Sequence, residues 1–198
     1  MDDLVGFFSN QPESILIVDM PLNLPQSIKD YPRVSDVTAK KVLGKAHASI
    51  FYAPLERWLD ENLKTINLEC AAYQKPKLSI QSYNLFKHIK SIQKIKTLPH
   101  ILCYESHPEL FFHGLSQSYP DSKKTTKGVY QRLNLLSNLM LQYGLNFDQN
   151  ELNSFYNFNK RKLNMDDILD ACAMAMAGYL LNQPSNDTNL INEEIIFS

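Results

Sequence analysis

The alternation of apolar and polar residues predicts a chain of mixed strands and helices. Ser14–Val18 and His100–Tyr104 are short apolar runs bounded by polar residues, which is typical of strands buried on both faces. Longer segments repeat their apolar residues at helical spacing, with polar residues between them. These predicted helices are Ser35–Leu43, Leu55–Ala72, Ser79–Lys96, Lys127–Tyr143 and Met165–Leu181. Strands mixed with helices favour the α/β class.

Three further segments give weaker patterns. Ala48–Pro54 is compatible with a short strand or an extended segment, and Glu194–Phe197 with a final strand. Asn146–Asn164 is polar and less regular, which predicts a short helix and a loop. The sequence contains no Gly-rich phosphate loop and no local signature of a Ser-His-Asp or Cys-His site.

Length and composition bound the class of protein. The 198 residues suffice for one well-packed domain, so we predict a single domain over 1–198. Cys70, Cys103 and Cys172 lack metal-ligand spacing, which predicts buried, reduced thiols in a cytoplasmic protein. No apolar run approaches ~18 residues, so we expect no membrane span. The start of the chain, Met1–Leu4, lacks the basic and apolar regions of a signal peptide.

The charges are distributed unevenly, although the formal net charge is only -1. No acidic residue occurs between Cys70 and Tyr104, where six lysines are interleaved with aromatic residues. The lysines are Lys75, Lys77, Lys87, Lys90, Lys94 and Lys96. A one-sided basic segment suits a polyanion-binding face, but an ordinary solvated helix face is the simpler explanation.

An acidic residue follows each of the two predicted strands. Asp19 comes after the first strand and Glu105 after the second, each just before a proline-containing turn. The ends of neighbouring strands are where open α/β sheets bind their ligands. Converging carboxylates would bind Mg²⁺ or Mn²⁺, because hard cations prefer oxygen ligands. Two such ions can activate a water and stabilise the leaving oxygen of a phosphodiester.

The last predicted helix adds two further acids. Asp167 and Asp170 lie three residues apart, and Asp170 continues the apolar stripe of Met174 and Ala177. A carboxylate on the buried side of a helix is unfavourable unless a partner such as a metal ion neutralises it. For Asp166 and Asp167, capping of the first helical turn is an equally good explanation.

Basic residues precede the helix predicted at Lys127–Tyr143. Lys123 and Lys124 lie near its N-terminus, followed by Gly128 and Arg132. Because cations are unfavourable at this end of the helix dipole, the pattern suits an anionic ligand, although a solvated loop also explains it. His107 is a weaker candidate, since a single histidine near an apolar strand is usually structural.

Several of these segments resemble one family, the domain-of-unknown-function family 429, whose members are predicted RNase H-like nucleases. The similar segments occur in family order and cover nearly the whole chain. They are Val18–Pro25, Arg33–Gly44, Ser49–Pro54, Leu78–Lys90, Tyr104–Glu109, Ser122–Thr125 with Gly128 and Arg132, and Asp166–Ala171. The Asp-x-x-Asp-Ala helix also resembles the final acidic helix of Holliday-junction resolvases, which have an RNase H-like fold.

The resemblance implies an RNase H-like mixed sheet flanked by helices and a metal-dependent nuclease acting on DNA or RNA. Asp19, Glu105 and Asp170 would bind Mg²⁺ or Mn²⁺, with Asp167 as an auxiliary catalytic residue. The substrate-binding residues would be Lys123, Lys124, Arg132 and His107. The alternatives are a catalytically impaired module that binds nucleic acid or protein, and a hydrolase of a small phosphorylated metabolite.

The chain departs from the family pattern at its start. Family members usually open with a strand carrying a Gly-x-Asp motif, whereas about one short helix precedes Ser14–Val18 here. We therefore expect an N-terminally truncated fold without the first carboxylate. Loss of that strand would expose a sheet edge, so we predict a homodimer that covers this edge or a rearranged sheet. A monodisperse monomer in light scattering would contradict the dimer.

Overall fold

The structure is a computed structural model that describes residues 2–116, 120–146, 164–183 and 196–197. The chain divides into two compact units. The first comprises Met1–Leu110 with Glu193–Ser198, and the second comprises Phe111–Asn192. The first unit contains the sheet, whereas the described part of the second is helical. The single-domain organisation stays a prediction.

The described residues form α-helices and a small sheet, which confirms the predicted mixed α/β class. The helices are α1 (Asp2–Ser9), α2 (Val34–Leu43), α3 (Leu63–Ala72), α4 (Ile80–Asn84), α5 (Phe86–Lys96), α6 (Pro108–Ser116), α7 (Thr126–Gln142) and α8 (Met165–Leu181). The strands are β1 (Ser14–Val18), β2 (Ile101–Ser106) and β3 (Ile196–Phe197).

The sheet has the order β1-β2-β3. β1 and β2 are parallel, and their register places Val18 opposite Glu105. β3 runs antiparallel to β2. Within the described ranges, β1 has no strand on its other side, so it forms an edge. This edge is compatible with the predicted homodimer, which stays a prediction.

The sheet is covered unevenly, which corrects the expectation of strands buried on both faces. Leu16 and Val18 pack with Ile101 and with Ile92 of α5 in one apolar cluster. Leu102 points to the opposite face and is 57% exposed. Only one face of β2 is therefore covered at this position, because successive side chains of a strand point to opposite faces.

Two of the predicted helices are interrupted. Leu55–Ala72 consists of the 3₁₀ segment Glu56–Asp60 followed by α3, which begins where the side chain of Asn62 accepts the backbone N–H of Thr65. Ser79–Lys96 is divided into α4 and α5 at Leu85. Residues next to both breaks, Trp58 and Phe86, belong to one buried cluster of the first unit.

α6 was not predicted, because Pro108 suggested a turn. Pro108 is the first residue of α6, where proline has no helical N–H to lose and its fixed φ suits the helix. The predicted elements within residues 147–163 and at 194–195 lie outside the described residues. None of the helices in the described part of the chain is long and apolar enough to cross a lipid bilayer. Cys70, Cys103 and Cys172 are free thiols, but of the three only Cys70 is buried as predicted, whereas Cys103 and Cys172 are partly exposed.

Candidate functional site

The parallel strands bring Asp19 and Glu105 to the same pocket. Asp19 follows β1 directly, next to Val18, which pairs with Glu105. The pocket has a volume of about 200 Å³ and lies within the first unit. Its polar lining includes Asp19, Arg33, Asp36, Ser49, Glu105 and His107. Its apolar lining includes Ile50, Phe51, Tyr52 and Pro54.

Arg33 organises the buried side of this pocket. Its Nε donates to Asp36 Oδ1 at 3.1 Å, and its Nη1 donates to Glu105 Oε2 at 2.8 Å and to the carbonyl of Asn23 at 3.1 Å. Nη2 donates to both Asp36 and Glu105. An arginine side chain has five N–H groups, so every one of its donors is used.

The two carboxylates are also bound by the backbone. Glu105 Oε2 accepts the N–H of Leu22 at 2.8 Å, and Asp36 Oδ2 accepts the N–H of Ala53 at 2.9 Å. Both acids are buried, with 7% exposure for Glu105 and 4% for Asp36. Burial opposes the charge of Arg33, but the hydrogen bonds to Glu105 and Asp36 outweigh it and raise the pKa of the guanidinium. One guanidinium is therefore shared between two buried carboxyl groups.

Asp19 lies on the open side of the pocket. Its side chain is 53% exposed, and Oδ1 lies 3.9 Å from Nε2 of His107. His107 itself is held by the start of α6, because its Nδ1 accepts the backbone N–H of Glu109 at 3.1 Å. Its Nε2 lies 3.3 Å from the carbonyl oxygen of Ser49. The pair of Asp19 and His107 thus joins the end of β1 to the start of α6.

The donor set of this pocket fits one hard cation better than two. The side chain of Asp19 is half-exposed, and both oxygens of the buried Glu105 accept hydrogen bonds. Mg²⁺ commonly keeps several waters and binds through one or two carboxylates. Within the described ranges, no three His, Cys, Asp or Glu side chains form a metal-binding group. Glu105 could act as a ligand only by sharing an oxygen with Arg33 or Leu22.

Asp170 lies in the second unit, where a lysine neutralises it. Lys123 Nζ lies 2.5 Å from Asp170 Oδ2, and the side chains are 34% and 19% exposed, respectively. The expected need for a positive partner on the inner face of α8 is therefore met by an ammonium group. Both residues were candidates for separate roles, as phosphate binder and metal ligand. The structure joins them in one ion pair.

Asp167 and Lys124 occupy exposed positions in the second unit. The side chain of Asp167 accepts the backbone N–H of Asn164 at 2.9 Å, so it caps the start of α8. This contact agrees with the capping explanation. Lys124 lies in the turn before α7, where its side chain is accessible to an anion.

Arg132 is buried in the second unit, with 1% exposure. Its Nη1 donates to the carbonyl of Asp121 at 2.7 Å and to that of Gly128 at 3.1 Å, and its guanidinium lies over the ring of Phe112. A guanidinium in this position holds the segment before α7 against the helix. Contact with a phosphate from solvent would require this segment to rearrange.

Arg33 and Asp36 were not among the predicted site residues. Their three-residue spacing at the start of α2 was visible in the sequence, within the family-like segment Arg33–Gly44. The spacing indicated a local pair, but Glu105 lies 72 residues from Arg33. A local pattern therefore could not indicate that Arg33 also binds the acid of β2.

Comparison with known proteins assigns the chain to a family. A family model described as protein of unknown function (DUF429) matches residues 2–191. No curated protein and no solved structure matches the chain. Because the family match spans nearly the whole sequence and includes all three acids of the pocket, the protein is a member of the DUF429 family.

Proposed function

We propose that this protein is a metal-dependent nuclease of RNase H-like fold, which hydrolyses phosphodiester bonds in nucleic acid. The observation that carries the proposal is the position of Asp19 and Glu105 at the adjacent carboxyl ends of two parallel strands, on one pocket. Ligands of open α/β sheets bind at such strand ends. The mixed sheet with parallel and antiparallel neighbours supports the fold assignment.

Asp19 is the residue best suited to hold Mg²⁺ or Mn²⁺. When bound, such an ion neutralises charge on the phosphate and supplies a more acidic water. Arg33 binds Glu105 and Asp36 and fixes both side chains in the same pocket as Asp19. The roles of Glu105 and Asp170 as further ligands, and of Asp167 as an auxiliary residue, stay predictions.

The basic segment supports nucleic acid as the substrate class. Lys87 and Lys94 are exposed on α5, two helical turns apart, and Lys90 lies between them on the same helix face. Phosphate backbones attract such a row of cations without regard to sequence. Lys124 in the second unit is a further exposed cation.

Cleavage assays with the purified protein test the proposal. Labelled single-stranded DNA, duplex DNA, RNA and branched DNA are incubated with Mn²⁺, with Mg²⁺ or with a chelator. We expect metal-dependent cleavage that Asp19→Asn lowers by about a hundredfold or more, since even indirect supports of a metal cost about 10–100-fold. Asp30→Asn, an exposed acid elsewhere in the first unit, should leave cleavage unchanged.

The same assay tests which of the predicted metal ligands are required for cleavage. Cleavage that survives Asp170→Asn would remove Asp170 from the catalytic set, and unchanged cleavage by Asp19→Asn would overturn the proposal. Activity on nucleotides but not on polymers would indicate a hydrolase of small phosphorylated metabolites instead.

A binding module without catalysis is the second candidate. One observation favours it: Arg33 binds Glu105 and Lys123 binds Asp170, so each of these acids already has a cationic partner. This alternative predicts salt-sensitive binding of nucleic acid without turnover in any metal. The cleavage assay, combined with a binding measurement on the same substrates, distinguishes the two.

A further inference from the structure

The hydrogen bonds of His107 fix which ring nitrogen carries the proton. His107 precedes α6, and its Nδ1 accepts the backbone N–H of Glu109 at 3.1 Å. In a neutral imidazole, one nitrogen is an acceptor and the other carries the hydrogen. The capping bond therefore assigns the hydrogen to Nε2.

The Nε2–H group faces the polar side of the pocket. The carbonyl oxygen of Ser49 lies 3.3 Å from it and Asp19 Oδ1 lies 3.9 Å from it. The contact with Ser49 is a hydrogen bond longer than the usual 2.9–3.0 Å, and the distance to Asp19 is too long for a direct bond. An anionic oxygen that enters the pocket would be a stronger acceptor than either, because charge-assisted hydrogen bonds are shorter and stronger.

We propose that His107 binds the substrate by donating Nε2–H to a non-bridging oxygen of its phosphate. The inference rests on the proposed function, because a cation held by Asp19 would offset the repulsion between that carboxylate and the phosphate. With Nδ1 occupied by the N–H of Glu109, His107 acts as a donor and is neither a metal ligand nor a general base through Nε2. One non-bridging oxygen of the phosphodiester would then lie beside Asp19 and accept the Nε2–H of His107.

Two substitutions of His107 distinguish its proposed hydrogen bond to phosphate from its capping of α6. In His107→Asn the side-chain oxygen can still cap α6, since asparagine is a good N-cap, but no donor reaches the position of Nε2. In His107→Gln the terminal amide can place an N–H near that position, whereas the cap is weakened. A purely structural role predicts a neutral His107→Asn and a destabilised His107→Gln, with equal phosphate binding by both.

Nuclear magnetic resonance of ¹⁵N-histidine-labelled protein provides the direct readout. The chain has five histidines, so the His107 signals are assigned by their loss in His107→Gln. We expect the Nε2–H tautomer, and a shift of the Nε2 signal when inorganic phosphate is added with Mg²⁺. His107→Asn should weaken phosphate binding about tenfold or more, as expected for one hydrogen bond to a charged group, while keeping the melting temperature. His107→Gln should bind phosphate within a few-fold of the wild type but melt at a lower temperature.

Three results would overturn the role of His107: an Nδ1–H tautomer, no response of its signals to phosphate, or wild-type phosphate binding by His107→Asn. Turnover is measured separately on a single-stranded thymidine 12-mer with Mn²⁺. Absence of turnover together with the expected tautomer and phosphate response would contradict the nuclease proposal alone. Turnover with any of the three contrary results would contradict the role of His107 alone.

Discussion

Arg33 determines how the acids of the pocket can be used. A buried carboxylate needs a partner, and Arg33 supplies one guanidinium to two of them, Glu105 and Asp36. Their oxygens are turned toward Arg33 and toward backbone N–H groups, which leaves Asp19 as the most accessible acid of the pocket. The guanidinium of Arg33 therefore holds Glu105 and Asp36 in the buried part of the pocket, whereas Asp19 lies where a ligand can contact it.

Removing the guanidinium should destabilise the first unit strongly. In Arg33→Met, Glu105 and Asp36 would stay buried without their cation, a change that typically costs about 3–5 kcal/mol of the free energy of unfolding. Arg33→Lys should fall between this variant and the wild type, since an ammonium keeps the charge but not the planar arrangement of five donors. Urea-induced unfolding followed by circular dichroism measures both.

Arg57→Met is the matched control for this prediction. Arg57 also binds a carboxylate, that of Glu69, but its side chain is 51% exposed, so its loss should cost at most about 1 kcal/mol. Equal losses in Arg33→Met and Arg57→Met would contradict the assigned importance of the buried group.

Asp170 illustrates how far residue patterns predict a site. The helical stripe correctly predicted a carboxylate on the inner side of α8 that needs a positive partner. The partner is Lys123, 47 residues earlier in the chain, and only the folded backbone brings the two together. Asp19 and Glu105 were predictable as neighbours because strand ends share an edge, whereas the binding of Glu105 by Arg33 was not.

At the scale of elements, strands and long helices followed from their apolar spacing, but their boundaries depended on side-chain contacts. Asn62 starts α3 by accepting an N–H, and this contact interrupts the helix that the apolar spacing predicted. Pro108 was interpreted as a turn residue, yet the same residue is favourable at the first position of α6. The conformational preferences of Asn62 and Pro108 are compatible with their observed positions. Those preferences alone did not predict at which position of a helix each residue would lie.

α7 depends on a close approach that only glycine permits. A Cβ atom at Gly128 would lie 2.1 Å from the carbonyl oxygen of Ser122 and 2.5 Å from that of Asp121. The same backbone segment is held by Arg132 through the carbonyl of Asp121. The close contact between α7 and the segment before it therefore leaves no room for a side chain at position 128.

Gly128→Ala should consequently destabilise the second unit. Alanine is favoured over glycine in a helix by about 1 kcal/mol, but here the backbone at Ser122 must move, and overpacking typically costs about 1–3 kcal/mol. We expect a lower melting temperature and faster amide hydrogen exchange in α7. Gly6→Ala in α1 is the control, because nothing lies within 4 Å of its added Cβ. That variant should be neutral or slightly stabilising, and a neutral Gly128→Ala would show that the segment yields easily.

At the scale of the whole molecule, the small net charge hides a strongly basic region. The formal net charge is -1, yet residues 71–104 contain six lysines and no acid. In the first unit, Lys90 binds Asp60, while Lys87 and Lys94 stay exposed on the same face of α5. Binding to a nucleic acid should therefore depend on this face and on salt rather than on the total charge.

Charge reversal on this face tests that dependence. Each phosphate contact to a single strand contributes about -0.7 to the slope of log affinity against log salt concentration. Lys87→Glu with Lys94→Glu removes two cations, so the slope for a thymidine oligonucleotide should become shallower by about 1.4, with an affinity loss of tenfold or more at low salt.

The control is the double variant Lys41→Glu with Lys45→Glu, which changes the net charge by the same amount at two other exposed lysines of the first unit. Fluorescence anisotropy should show the larger loss for the α5 pair. Equal losses in both double variants would mean that net charge alone governs binding, and no loss in either would exclude these four lysines from the nucleic-acid interface.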